Sequence, residues 1–159
     1  MLKIAIGHSE DIDSEGAVQE ILEQCSAELT GSKPQAGILY ASIDHDFDFL
    51  LESINAAYPK IELIGCTTDG ELSSSKGFLE DSVALILFQS DNIDIKAGVV
   101  NNLSENLEQN ISEAIQKTQA ELKDEPKLCI INPVSIIISG AVVLEQFKQC
   151  LGNNFPIYG

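Results

Sequence analysis

The chain predicts an α/β fold: a mixed β-sheet, with parallel β-α-β units and a central antiparallel hairpin, flanked by about four helices. Three observations lead there. Short apolar runs of strand length alternate with longer segments whose apolar residues recur at helical spacing. Pro and Gly punctuate the joins, at Gly31 to Pro34, at Pro59 and at Pro126. With 159 residues and 44% hydrophobic content, the chain is a globule with material for one sizeable core.

Leu2 to Ile6 reads as a short buried strand that turns out through Gly7, His8 and Ser9. Asp13 or Ser14 can cap a helix whose apolar residues Val18, Ile21, Leu22, Cys25 and Leu29 share a face. Ile38 to Ala41 is the second strand. Phe47, Leu50, Leu51, Ile54 and Tyr58 mark a helix stopped by Pro59, and Ile61 to Ile64 is the third strand. Val83 to Phe88 and Ile93 to Val100 follow, separated by Ser90, Asp91 and Asn92, and read as an antiparallel hairpin. Leu107, Ile111, Ala114, Ile115, Thr118 and Leu122 give a long helix beginning near Ser104. Leu128 to Ile131 is another strand, Gly140 to Leu151 another helix, and Ile157-Tyr158 opens a last strand. The run from the second strand to Gly65 echoes the run from Leu128 to Gly159 at an offset of about 94 residues, through a Ser42 loop and a Ser135 loop.

Charge narrows the function. There are 25 acidic residues against nine basic ones, all Lys, for a net charge of −16. Phosphate backbones and anionic lipid surfaces repel such a chain, so nucleic acid is not an expected partner. The longest apolar run, Val134 to Leu144, is too short to span a bilayer, so no membrane insertion is expected. The amino terminus turns acidic within ten residues, unlike a signal peptide, and the four cysteines show no C-x-x-C spacing. A cytoplasmic location follows as the expectation.

The densest chemistry lies in Gly65-Cys66-Thr67-Thr68-Asp69-Gly70-Glu71, directly after the third strand. Gly65 lets backbones approach, and Gly70 permits positive φ. Backbone N–H groups and short hydroxyls converge there at a strand's carboxyl end, where open α/β sheets hold ligands. Strand alternation would aim Asp69 and Glu71 at one face, a pair suited to an ammonium group or a cation. Thr67 and Thr68 both donate and accept, which suits a zwitterion such as an amino acid. No Gly-rich phosphate loop is present.

Gly65-Cys66-Thr67-Thr68-x-Gly70-Glu71 resembles the signature of the FIST N domain, a bacterial sensory module attached to signalling outputs. Gly37 to Ser42 looks like that family's apolar strand ending in Ala-Ser, and Phe78 to Leu85 resembles the strand after its signature. Phe155-Pro156-Ile157-Tyr158-Gly159 is similar to the segment before its next Gly-Gly turn. Two departures stand out. The chain stops at Gly159, and the loop after Asn132-Pro133, often Asp-Gly-like in the family, reads Val134-Ser135-Ile136-Ile137. The resemblance implies that residues 1–159 form one sensory domain, cut at its carboxyl end. It implies a small-molecule ligand held by Ser42, His45, Gly65, Cys66, Thr67, Thr68, Gly70 and Glu71. It further implies a signalling output such as a histidine kinase, a cyclase or a chemotaxis receptor, and no enzymatic activity. A cut sheet edge could pair with another copy, giving a homodimer.

Two alternatives accompany that reading. Some relatives of the family are haem proteins that sense nitric oxide, so His45 or His8 is carried as an axial ligand, although no attachment motif surrounds either. No other cofactor is implied. Flanking carboxylates at Asp44 and Asp46 would favour protonated His45, while a dedicated metal site lacks partners at usable spacing. Cys66 could serve a cysteine-dependent enzyme with His8 or His45 as base. Cys25, Cys129 and Cys150 fall where apolar residues belong and read as core.

Overall fold

The computed structural model describes residues 1–133 and 138–159 and divides into two compact units, Met1–Ile95 and Lys96–Gly159. Mixed α/β character holds: there are four helices and eight strands among the described residues.

In the first unit, β1 (Lys3–Ser9), β2 (Ala36–Ser42), β3 (Glu62–Thr68) and β6 (Val83–Gln89) form one sheet in the order β1-β6-β2-β3. β2 and β3 run parallel, joined by α2 (Phe47–Ala57), while β6 lies antiparallel to both β1 and β2. β4 (Glu71–Ser73) and β5 (Gly77–Leu79) make a separate small hairpin. Ala5, Leu39, Ala41, Val83, Leu85 and Leu87, all at odd positions, form a core with α2 and with α1 (Ser14–Leu29). The helices contribute Ala17, Val18, Ile21, Cys25, Leu29, Leu50 and Ile54. Each fully buried Leu or Ile contributes about 1.5–3 kcal/mol, so this face outweighs any single polar contact in holding the unit together. Asp13 caps α1 through the Gly16 N–H, and Asp46 caps α2 through the Phe49 N–H at 3.0 Å. Among the cysteines expected in the core only Cys25 is buried. Its thiol is pushed up to about 12, chiefly by that burial, whereas Cys129 is half-buried and Cys150 exposed.

The expected hairpin of Val83 to Phe88 with Ile93 to Val100 does not form. Both sides of β6 are already occupied by β1 and β2, and residues 93–100 form no strand. The alternation there covers no core: Ile93 and Val99 are exposed. The antiparallel character arises instead from β6 inserting between the two ends of the β1-α1-β2 crossover.

In the second unit, α3 (Leu107–Ala120) packs on α4 (Gly140–Leu151), burying Ile111 and Val143. β7 (Cys129–Ile130) and β8 (Ile157–Tyr158) pair in parallel. This β7-α4-β8 order matches β2-α2-β3, and the likeness extends to glycine. A Cβ on Gly65 would collide with the carbonyl oxygen of Leu39, its register partner. A Cβ on Gly159 would likewise collide with the Ile131 carbonyl oxygen. The echo through Ser135, and the departure at Val134 to Ile137, lie outside the described residues.

Gly65→Ala would therefore force β3 away from β2. We expect it to lower the unfolding free energy by roughly 1–3 kcal/mol in urea titration, as overpacked sites do. Unchanged stability would remove the close-approach role of this glycine.

Candidate functional site

β2 and β3 end side by side, with Ser42 in register with Thr68. The segment Gly65 to Thr68, expected as a turn, is strand; the chain bends only at Asp69-Gly70 before entering β4. Gly70 lies outside the positive-φ region. Its reason is packing, since a Cβ there would stand 2.5 Å from Cζ of Phe78. Asp69 and Glu71 do not share a face: Asp69 is exposed, whereas Glu71 is 3% exposed. The bend breaks the alternation that would have paired them.

Glu71 anchors a buried polar cluster. Thr68 Oγ1 donates to its Oε1 and Ser82 Oγ to its Oε2. Two residues further along β4, Ser73 reaches the same interior, with Oγ 2.7 Å from Nδ1 of His8. His8 Nε2 stands 2.9 Å from Ser82 Oγ. Ser82 spends its proton on Glu71, so His8 donates from Nε2 and accepts the Ser73 hydroxyl at Nδ1: the neutral ring satisfies every partner. Burial holds the His8 pKa below its ordinary value; the nearby Glu71 charge pulls it up less strongly, Lys76 adds to the lowering, and Glu10 opposes it. Asp81, at φ 51, makes the tight turn that delivers Ser82, whose carbonyl accepts the Ser42 N–H at 3.0 Å. The cluster thus ties together β1, β2, β3, β4 and the start of β6.

The other expected residues divide. Gly65, Cys66 and Thr67 lie exposed on β3, at the sheet's open edge, with Cys66 in register with Tyr40. His45 is buried but belongs to a different contact: Ser14 Oγ lies 3.3 Å from its Nδ1 and accepts the Asp46 N–H at 2.9 Å, joining the starts of α1 and α2. Ser73 and Ser82 escaped the sequence reading. The Glu71-x-Ser73 alternation and the turn at Glu80-Asp81 were the signals that could have found them. Two concavities lie elsewhere: a groove of about 560 Å³ along α3, and one of about 380 Å³ where α1 and α2 end, near Leu29 and Tyr58. Neither is lined by the cluster.

Neither histidine fits haem without rearrangement. Both nitrogens of the fully buried His8 are committed to serine hydroxyls, and the burial of His45 leaves a planar macrocycle no approach to its ring. Desolvation pushes the Cys66 thiol up, away from the thiolate form. No group of three or more His, Cys, Asp or Glu able to hold a metal occurs among the described residues, nor does a helix long and apolar enough to cross a membrane.

These features define a sensory α/β domain of signal transduction once the family comparison is added. The FIST N domain family model matches residues 35–159, and the chain belongs to that family of sensory signal-transduction domains. The match spans Ser42, His45, β3, Glu71, Ser73 and Ser82, with His8 and Ser14 outside it. No curated protein matches the chain.

Two outcomes test the cluster. Ser82→Ala removes partners from both His8 and Glu71, and is expected to cost about 1–3 kcal/mol in urea unfolding. Because burial lowers the His8 pKa, the unfolded chain binds a proton there more readily. Stability should then fall as pH drops through about 6.5 toward the folded value. His8→Gln should flatten that segment of the pH profile. An equal slope in the variant would assign the loss to other groups.

Proposed function

We propose that the chain is a small-ligand-binding sensory domain of bacterial cytoplasmic signal transduction, taking an amino-acid-like metabolite at the carboxyl ends of β2 and β3. The carrying observation is the state of Glu71. Its buried carboxylate is held by two neutral hydroxyls beside a neutral imidazole, and among the described residues it forms no ion pair; the ion pair found nearby joins Lys76 to Glu10 at 3.6 Å. A carboxylate without a cation in a chain of net charge −16 favours an ammonium group that can reach it.

Ligand binding then has a defined structural lever. An ammonium competing for Glu71 frees Ser82 or Thr68, and Ser82 is bonded to the same His8 ring that holds Ser73 of the β4–β5 hairpin. Ligand thus shifts the population of hairpin positions, which a histidine kinase, a cyclase or a chemotaxis receptor would read as output. The raised Cys66 thiol supports sensing rather than catalysis.

Thermal-shift screening of amino acids and related polar metabolites tests the reading. A ligand at about a hundred times its Kd stabilises by about 2.7 kcal/mol, a rise of several degrees for a chain of this size. Glu71→Gln should abolish the rise while Cys66→Ser keeps it. A screen without any shift, or a shift that survives Glu71→Gln, sinks the proposal.

A further inference from the structure

The two edges of the first unit's sheet are treated in opposite ways. Along β1, side chains of α1 close the outer edge: the Ile6 N–H donates to Glu28 Oε2 at 2.9 Å and the His8 N–H to Gln24 Oε1 at 2.9 Å. Gln24 Nε2 returns a bond to the His8 carbonyl at 3.2 Å. Such capping is how proteins stop strand edges from recruiting other strands. β3 has no equivalent. Its Glu62 N–H faces inward, to the Gln35 carbonyl at 3.0 Å. Parallel pairing then turns the backbone groups of Leu63, Gly65 and Thr67 outward. Among the described residues nothing pairs with them, and Gly65, Cys66 and Thr67 are all exposed. Neither Pro nor Lys stands within this edge to discourage pairing.

We propose that the β3 edge is a self-association surface, on which the β3 strand of a second copy of this chain docks antiparallel about a two-fold axis at Gly65. The inference is independent of the ligand reading. Two features select a second copy. The outward groups at 63, 65 and 67 are symmetric about Gly65, so Leu63 meets Thr67 and Gly65 meets itself, each a hydrogen-bonded pair. Small side chains, at Gly65, Cys66 and Thr67, leave the approach open. Cys66 then lies opposite Ile64 in a pair without backbone hydrogen bonds, where Cα atoms approach to about 4.5 Å.

Sedimentation of the full chain tests this. A concentration-dependent dimer is expected, and it should tighten as salt rises from 0.05 to about 0.5 M, because screening relieves repulsion between two chains of net charge −16. Thr67→Pro removes an outward N–H and spares the bonds to β2. It should weaken the dimer about ten- to a hundredfold, with circular dichroism unchanged. Independently, Ile64→Cys treated with diamide, which takes up the two electrons and two protons of each disulfide, should give a covalent dimer through Cys66 of the second copy. A monomer at every concentration and salt, a dimer indifferent to Thr67→Pro, or a covalent dimer linked only through Cys150 would overturn the assignment. So would a chain that stays monomeric and instead takes up an extended oligolysine peptide at this edge.

Discussion

The burial of one carboxylate organises the upper end of this sheet. Glu71 sits at the first position of a three-residue strand, too short to be held by its own ladder, yet it is nearly inaccessible to water. Taking an ionised group out of solvent costs several kcal/mol unless hydrogen bonds replace the water. Thr68 and Ser82 supply them, and each arrives from a different element. The end of β3, the hairpin and the entry into β6 are therefore fixed by one group's need for donors. His8 extends the requirement to β1, and its neutral form is what lets the chain of hydroxyls point one way.

The cluster satisfies hydrogen bonding but leaves charge unbalanced, in a protein that has few cations to offer. Desolvation lowers the His8 pKa and raises the Cys66 thiol, so both side chains favour their neutral forms. A ligand reaching Glu71 as proposed would redistribute the hydrogen bonds of Thr68, Ser82 and His8, which come from different elements.

Much of the fold was legible in the sequence because local signals were consistent. Asp13 was readable as a cap, Pro59 as a stop, and α4 has the bounds its pattern suggested. Strand partners were less legible. Val83 to Phe88 and the alternating Ile93 to Val100 look like a hairpin locally, and nothing in their residues reveals that β1, far away in sequence, occupies the place first. At the site, Thr68 and Glu71 were visible as a motif. His8, Ser73 and Ser82 were not, since a buried network is a property of where distant strands end, while sequence spacing reports only neighbours. The expected Asp69–Glu71 pairing failed for the same reason: alternation holds only while the strand lasts.

Strand order carries a consequence for biogenesis. β6 is the last strand of its sheet to be synthesised, yet it occupies an interior position, with Lys3 opposite Gln89 and Ala36 opposite Phe88. Until the ribosome has released that segment, β1 and β2 have no common neighbour, and the apolar faces of α1 and α2 cover a sheet with a gap through its middle. Long-range closure of this kind is slow and leaves a nascent chain exposed to wrong partners. The strong negative charge then acquires a second use, keeping unfinished chains apart on a crowded polysome until the missing strand slots in.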